Sequence, residues 1–265
     1  MKEIAEVRPM KNQINKIYIF GDSILKGVMY NTERSRYITY REERFTPVTQ
    51  RGITVTNYSH MGYTVICGFE QMLSKLNRNN CDENTLVILE FGGNDSDHKW
   101  KEISALPQAE HLPMTNQTDF INTYCRMIDY VQSLGAHVAC CNLVPLCAEK
   151  YMNWISQGLS RDNILQWLGD EDILYRWQES YNRMAERTAL MKNVNIIDIR
   201  TPFLVNHNYK NMICDDGIHP SKIGHKIIGE TICGFVNNYY QSCDKYLASG
   251  ALVLSSLLLK DACKI

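Results

Sequence analysis

The chain has 265 residues, and its 28 Lys plus Arg and 29 Asp plus Glu leave a formal net charge of −1. This balance, without any basic run, argues against nucleic acid or an anionic membrane as a partner. A hydrophobic content of 45% and a charged content of 22% are typical of a globular chain with a buried core, not of a disordered one.

The N-terminus and the cysteines bear on the cellular compartment. The first nine residues lack the uninterrupted apolar stretch of a signal peptide, and the apolar segment 246–259 is too short to cross a bilayer. The ten cysteines form no Cys-x-x-Cys pair, which argues against a zinc site and, without a leader, favours reduced thiols. We therefore expect a cytoplasmic protein that binds neither a metal nor a membrane.

Five apolar runs of strand length alternate with longer segments of helical periodicity. This alternation predicts a parallel sheet built from β-α-β crossover units. In chain order, the predicted strands are residues 16–20, 53–58, 86–91, 137–143 and 194–199. No internal repeat or Pro/Gly-rich linker marks a boundary, so residues 1–265 are predicted to form one doubly wound α/β domain.

Two connections, at about residues 95–117 and 144–172, are longer than the loops of such folds usually are. The second has enough apolar residues for one or two extra helices. Because loops after the strands lie over the carboxyl edge, where ligands bind, both are predicted to act as lids. The arginine-rich segment around Tyr37 is predicted as a solvated loop or hairpin. The C-terminal extension, about residues 243–265, is expected to pack on the body or on a second copy of the chain.

The first predicted strand runs into the sequence Gly-Asp-Ser-Ile at residues 21–24. A serine at the junction of a strand and a helix has its hydroxyl at the ligand-binding edge and its N–H among the helix N-terminal donors. Ser23 is therefore a candidate nucleophile, and Asp22 beside it is a candidate to contact substrate. An ordinary turn followed by a helix N-cap also accounts for this motif.

Near the end of the predicted fold, Asp216 and Asp215 precede His219 by three and four residues, across a turn that contains Gly217. A carboxylate on the imidazole Nδ1–H fixes the tautomer that leaves Nε2 free as a base. A turn that caps the last helix, with His219 at the surface, is the alternative. The spacing does not decide which of the two carboxylates serves His219.

Two glycine-containing turns follow other predicted strands. Asn94 comes after two glycines, and its side-chain amide is a neutral donor suited to a developing oxyanion. Gly62, after the second predicted strand, can offer a backbone N–H to the same oxyanion. Each of these short sequences, taken alone, is also explained as a plain turn.

Together, in this order along the chain, the four fragments resemble the sequence blocks of the SGNH hydrolases, the GDSL family of esterases and lipases. The resemblance covers about residues 16–241, and Ile24 replaces the usual Leu of the first block. It implies a flavodoxin-like three-layer α/β/α sandwich with a five-stranded parallel sheet. It also implies that neither a metal nor an organic cofactor takes part.

The same resemblance implies a role for each block. It implies a catalytic triad of Ser23, His219 and Asp216, and it favours Asp216 over Asp215. The implied oxyanion hole consists of the N–H groups of Ser23 and Gly62 and the Asn94 side chain. The implied activity is hydrolysis of a carboxylic ester through an acyl-enzyme.

The aromatic residues of the second long connection suggest the substrate. Tyr151 and Trp154 are one helical turn apart if this stretch is helical, so they are predicted to present one flat apolar face that suits a sugar ring. Anchoring of the lid helices explains them as well. Because small family members without a membrane element resemble sugar deacetylases or short-chain esterases, the predicted substrate is a small-molecule or oligosaccharide acetyl ester. The alternatives are a lysophospholipase or thioesterase with a long apolar slot, and a glycan-binding module without turnover.

Overall fold

The computed structural model describes residues 14–40 and 44–245. In this part of the chain the strands are β1 (Lys16–Gly21), β2 (Val28–Asn31), β3 (Arg36–Thr39), β4 (Thr54–Asn57), β5 (Thr85–Glu90), β6 (His137–Cys141) and β7 (Asn195–Ile197). The helices are α1 (Ser23–Lys26), α2 (Thr46–Thr49), α3 (Val65–Lys75), α4 (Trp100–Ala105), α5 (Gln117–Ser133), α6 (Ala148–Ile155), α7 (Arg161–Leu168), α8 (Asp172–Met191), α9 (Thr201–Leu204) and α10 (Lys222–Lys245).

Five strands form a parallel sheet in the order β4-β1-β5-β6-β7. This is the flavodoxin-like order, and the predicted α/β fold with a five-stranded parallel sheet is confirmed. The connection after β1 leads to β4 at one edge of the sheet, and the connection after β5 leads to β6 on the other side. Because these two connections diverge, a crevice forms at the carboxyl ends of β1 and β5. Ser23 follows β1 and Asn94 follows β5, so the sheet topology brings both residues to this crevice.

Helices cover both faces of the sheet. Successive residues of β1 point to opposite faces, so Ile17 and Ile19 pack with α10 on one side while Tyr18 and Phe20 pack with α3, α5 and α8 on the other. A strand buried on both faces has no polar side, which is why the central strands β1, β5 and β6 are apolar runs, whereas the edge strand β4 is partly exposed and contains two threonines.

The two long connections carry short helices, α4 in the first and α6 and α7 in the second. Their apolar side chains form a third cluster with the start of α8, which we call the lid cluster. The lid cluster consists of Ile103, Leu146, Tyr151, Met152, Ile155, Ile164, Leu168 and Leu174.

Strands β2 and β3 form an antiparallel hairpin outside the main sheet. Its base is fixed by a hydrogen bond from the Tyr40 N–H to the Gly27 carbonyl at 2.7 Å. The Arg44 guanidinium, mostly buried, donates to the Leu25 carbonyl at 2.8 Å, so this arginine is structural and not solvated.

The C-terminal helix α10 ends at Lys245, and residues 246–265 of the predicted extension lie outside the described part of the chain. Among residues 14–40 and 44–245, no helix combines the length and the apolar character needed to cross a membrane.

Candidate active site

Ser23, His219 and Asp216 form a hydrogen-bonded series. His219 Nε2 lies 2.9 Å from Ser23 Oγ, and His219 Nδ1 lies 2.6 Å from Asp216 Oδ2. All three side chains are buried. The second Asp216 oxygen accepts the backbone N–H groups of Ile218 at 3.2 Å and His219 at 3.1 Å. Because the carboxylate holds the hydrogen on Nδ1, Nε2 faces the Ser23 hydroxyl as an acceptor.

Asp215 takes no part in this series. Its side chain is exposed, accepts a hydrogen bond from the Thr32 hydroxyl at 2.6 Å, and lies 3.9 Å from Lys150 Nζ. Asp215 therefore connects the β2–β3 hairpin and α6 to the turn, and Asp216 is the carboxylate that contacts His219.

The turn that holds Asp216 and His219 packs directly against α6. The Cys147 N–H donates to the Gly217 carbonyl at 2.8 Å. Gly217 has φ of +80°, and a Cβ at this position would lie 2.2 Å from the Tyr151 backbone nitrogen. Only glycine adopts this conformation readily and also leaves room for α6. Contact with α6 and the residue before it thus helps to fix the position of the candidate base.

Asp22 lies beside the candidate nucleophile and is almost completely buried. As the N-cap of α1, it accepts the Ile24 N–H on Oδ1 at 2.8 Å. Burial raises the pKa of its carboxyl group. Ser23 is the first residue of α1, so its own N–H is one of the donors that a helix leaves without an internal partner.

The Asn94 amide donates two hydrogen bonds within the protein. Nδ2 donates to Asp22 Oδ2 at 3.1 Å and to the Tyr63 carbonyl at 3.0 Å. The reverse orientation would place the amide oxygen against two other acceptors, so these bonds fix the rotamer. Gly62, with φ of +80°, comes immediately before Tyr63, so Asn94 contacts the turn that contains it.

Two more buried carboxyl groups lie close by, Glu90 at the end of β5 and Asp95 after Asn94. Asp95 accepts the Val65 N–H at 3.0 Å and 3.1 Å on its two oxygens, which fixes the start of α3. Burial raises the pKa of Asp95 to about 7, and burial together with the Asp22 carboxyl raises that of Glu90 well above its ordinary value. Neither residue was among the predicted site residues, although Glu90, an acidic residue at the end of an otherwise apolar run, was a visible signal in the sequence. Within the described residues, no group of three or more His, Cys, Asp or Glu side chains is arranged to hold a metal ion.

A cavity of about 310 Å³ opens beside Ser23 and Asn94. Most of its lining is apolar and aromatic, and this part is formed by Trp100, Leu143, Val144, Leu146, Tyr151, Trp167, Leu168, Ile173, Leu174, Trp177 and Ile218. Polar residues line it as well, namely Ser96, Asp97, His98, His111 and Gln178. An engineered apolar cavity of about 150 Å³ binds benzene, so this cavity exceeds what an acetyl group fills.

Tyr151 lines this cavity, whereas Trp154 does not. The Tyr151 hydroxyl donates to Asp97 Oδ1 at 2.5 Å, while the Trp154 ring packs on Tyr30 with 4.6 Å between centroids. The prediction that the two share one face toward the pocket is therefore wrong for Trp154. Side chains three residues apart on an α-helix point about 60° apart around its axis. Contacts with other segments therefore place Tyr151 and Trp154 on different sides.

Trp154 belongs instead to an aromatic group on the hairpin side. Its ring centroid lies 6.3 Å from that of Tyr37, and the Tyr37 centroid lies 5.1 Å from that of His219. Sequence reasoning missed Tyr37, because only the folded hairpin brings it to the candidate base.

Solved structures of lipases and esterases share this fold. A lipase/acylhydrolase from Enterococcus faecalis is 18% identical, with a TM-score of 0.60 over 85% of this chain and 96% of that one. A catalytic mutant of Axe2, an acetylxylan esterase from Geobacillus stearothermophilus, is 18% identical, with a TM-score of 0.59 over 86% of this chain and 96% of that one. LAE5, an alpha/beta hydrolase enzyme from the metagenome of Lake Arreo, Spain, is 15% identical, with a TM-score of 0.58 over 86% and 98%. At such low identity, these likenesses show the fold alone.

The family follows from the sequence. The profile of the GDSL-like lipase/acylhydrolase family matches residues 19–227, which is most of the chain. The chain therefore belongs to this family of hydrolases. A comparison with curated protein sequences finds no match.

Proposed function

We propose that the protein hydrolyses carboxylic esters with Ser23 as the nucleophile, His219 as the general base and Asp216 as the residue that orients His219. The observation that carries this proposal is the unbroken series of hydrogen bonds from Ser23 Oγ through His219 to Asp216, at 2.9 Å and 2.6 Å. His219 Nε2 takes the hydroxyl proton as Ser23 Oγ attacks the ester carbonyl carbon, and then gives it to the leaving alcohol. Water, activated by the same nitrogen, then hydrolyses the acyl-enzyme.

The negative oxygen of the tetrahedral intermediate is bound by the N–H groups of Ser23 and Gly62 and by Asn94 Nδ2. The Asn94 bond to the Tyr63 carbonyl is the one that the oxyanion replaces, since the bond to Asp22 holds the amide from the other side. Gly62 and Tyr63 are neighbours, so one small movement of their turn frees the Asn94 hydrogen and adjusts the Gly62 donor.

The apolar cavity supports an acyl group larger than acetyl. The leaving oxygen must reach His219 Nε2 to receive its proton. Ser23 and Asn94 line the cavity, whereas His219 is not among the described residues that do so. The cavity therefore suits the acyl side of the ester. Its volume and its mostly apolar lining favour the longer-acyl alternative, a lysophospholipase or thioesterase, over an acetylesterase.

An acetyl ester of a carbohydrate is the second candidate substrate. It is supported by the sequence resemblance, by the fold shared with an acetylxylan esterase, and by the aromatic group of Tyr30, Tyr37 and Trp154 beside His219. Because this group lies on the leaving-alcohol side, it suits a sugar ring there. On this hypothesis Trp154→Ala slows hydrolysis of acetylated sugars more than that of p-nitrophenyl acetate.

A fluorescent organophosphonate, which reacts with an activated serine, tests the nucleophile. We expect labelling of the wild type and none of Ser23→Ala, with Ser74→Ala, at an exposed position of α3, as the matched control that keeps labelling. Labelling that persists in Ser23→Ala places the nucleophile elsewhere. A labelled protein that turns over no ester would support the non-catalytic glycan-binding alternative. The cytoplasmic location, the independence from metal, cofactor, nucleic acid and membrane, and self-association remain proposals from the sequence.

A further inference from the structure

The Glu90 carboxyl group lies directly behind the pair formed by Asp22 and Asn94. Glu90 is opposite Gly21 in the register of β5 and β1. A Cβ at Gly21 would lie 3.3 Å from Glu90 Oε2, so the missing side chain at Gly21 leaves the space that the carboxyl group occupies. Glu90 and Asp22 are each only 1% exposed. The two acids are therefore almost fully buried, although both line the cavity beside Ser23.

The two carboxyl groups are close enough for each to affect the pKa of the other as a hydrogen-bond partner. A carboxylate has no hydrogen to donate, so a hydrogen bond between these two acids needs one proton. Asp22 accepts from the Ile24 N–H and from Asn94 Nδ2, whereas the Asp22 backbone N–H is the one donor that lowers the pKa of Glu90, and Glu90 Oε2 has no hydrogen-bond partner among the described residues. These contacts stabilise the charge on Asp22 and leave the proton on Glu90.

We propose that Glu90 is a positioning residue for the ester hydrolysis proposed above: as a neutral acid it donates a hydrogen bond to Asp22, and Asp22 in turn holds Asn94 in the oxyanion hole. The argument rests on the proposed function, because Asn94 matters only if an oxyanion forms. Glu90 lines the cavity beside Asp22, and it acts on the reacting atoms through Asp22 and Asn94.

The surroundings of Glu90 oppose a second negative charge. The titratable groups that act on it from the described elements are Asp22, Asp95, Tyr124 and Cys141, and none of them supplies a positive charge. A carboxylate at Glu90 would place two adjacent negative charges behind the amide that must bind the oxyanion. Neutral Glu90 instead withdraws part of the Asp22 charge through the shared hydrogen, which favours the intermediate.

Two substitutions separate the effect of the donated hydrogen from the effect of the size of the side chain. Glu90→Gln keeps a donor toward Asp22, and Glu90→Met keeps the length without a donor. We expect Glu90→Gln to retain the wild-type kcat. We expect Glu90→Met to lose about tenfold with KM unchanged, less than the roughly hundredfold to thousandfold loss on removing an oxyanion donor itself. Glu70→Gln, on the exposed face of α3, is the matched control.

The assay measures kcat on one p-nitrophenyl ester, per active site titrated with the phosphonate, so loss of folded protein does not count as loss of catalysis. A wild-type kcat in Glu90→Met, or an equal loss in both variants, would overturn the proposal. Infrared difference spectra of the wild type against Glu90→Gln test whether Glu90 is protonated, and this measurement does not depend on enzyme activity. Absence of a carbonyl band of a protonated carboxylic acid would also overturn the proposal. Turnover by the wild type is judged separately, so failure of the Glu90 proposal leaves the proposed function intact.

Discussion

Filling the apolar cavity should change the acyl-length preference without touching the catalytic groups. Leu146 lines the cavity and is 6% exposed, so the larger ring in Leu146→Phe has to enter the cavity or strain the lid cluster. Each methylene that leaves water contributes about 0.8 kcal/mol, which is about fourfold in kcat/KM. From acetate to hexanoate, four methylenes give a ceiling of about 3 kcal/mol, or about 200-fold. The cavity of about 310 Å³ has room for this chain.

The assay is a series of p-nitrophenyl esters from acetate to decanoate. We expect the wild-type kcat/KM to rise from acetate to at least hexanoate, and we expect Leu146→Phe to remove most of this rise while acetate stays within about threefold. Leu190→Phe, on the exposed face of α8, controls for the added ring. A wild-type kcat/KM that falls steadily beyond acetate would refute the reasoning from the cavity and favour the acetyl candidate. An unchanged length profile in Leu146→Phe would show that the acyl group binds elsewhere.

Three further predictions concern polar groups of the site. Asn94→Ala should lower kcat about hundredfold to thousandfold with a much smaller effect on KM, and steady-state kinetics showing a wild-type kcat would remove Asn94 from the oxyanion hole. Asp216→Asn should lower kcat by about 10⁴-fold because the amide no longer holds the reactive His219 tautomer, whereas Asp215→Asn should lower kcat only slightly. Reversed effects on kcat would mean that Asp215 is the carboxylate that orients His219. Asp95 has a pKa raised from 3.8 to about 7, so its stabilising contribution is fully present below the lower value and is lost as pH rises through the higher one. Thermal melting between about pH 4 and pH 8 should therefore show a flatter pH dependence for Asp95→Asn than for the wild type, and equal slopes would contradict the shift.

The strands and the motif positions could be predicted from the sequence for a physical reason. The central strands of a parallel sheet are buried on both faces, so β1, β5 and β6 appear as apolar runs whose positions need no knowledge of their neighbours. The turns that follow these strands contain glycine, serine and asparagine in short local patterns. Because carboxyl ends of parallel strands meet at one edge, local patterns that are far apart in sequence were predicted to converge.

Only the tertiary structure decided which side chains meet. The sequence spacing allowed either Asp215 or Asp216 to serve His219, and the resemblance alone favoured the second. Packing against Tyr30 drew Trp154 away from the cavity that Tyr151 lines.

Glu90 reaches Asp22 only because β1 and β5 are paired in a register that puts it opposite Gly21. The sequence determines local conformation and burial, since these depend on near neighbours along the chain. The cavity, the aromatic group beside His219 and the pair of carboxyl groups of Asp22 and Glu90 depend on contacts between distant segments. Such contacts are fixed by strand register and helix packing, which a single sequence does not display.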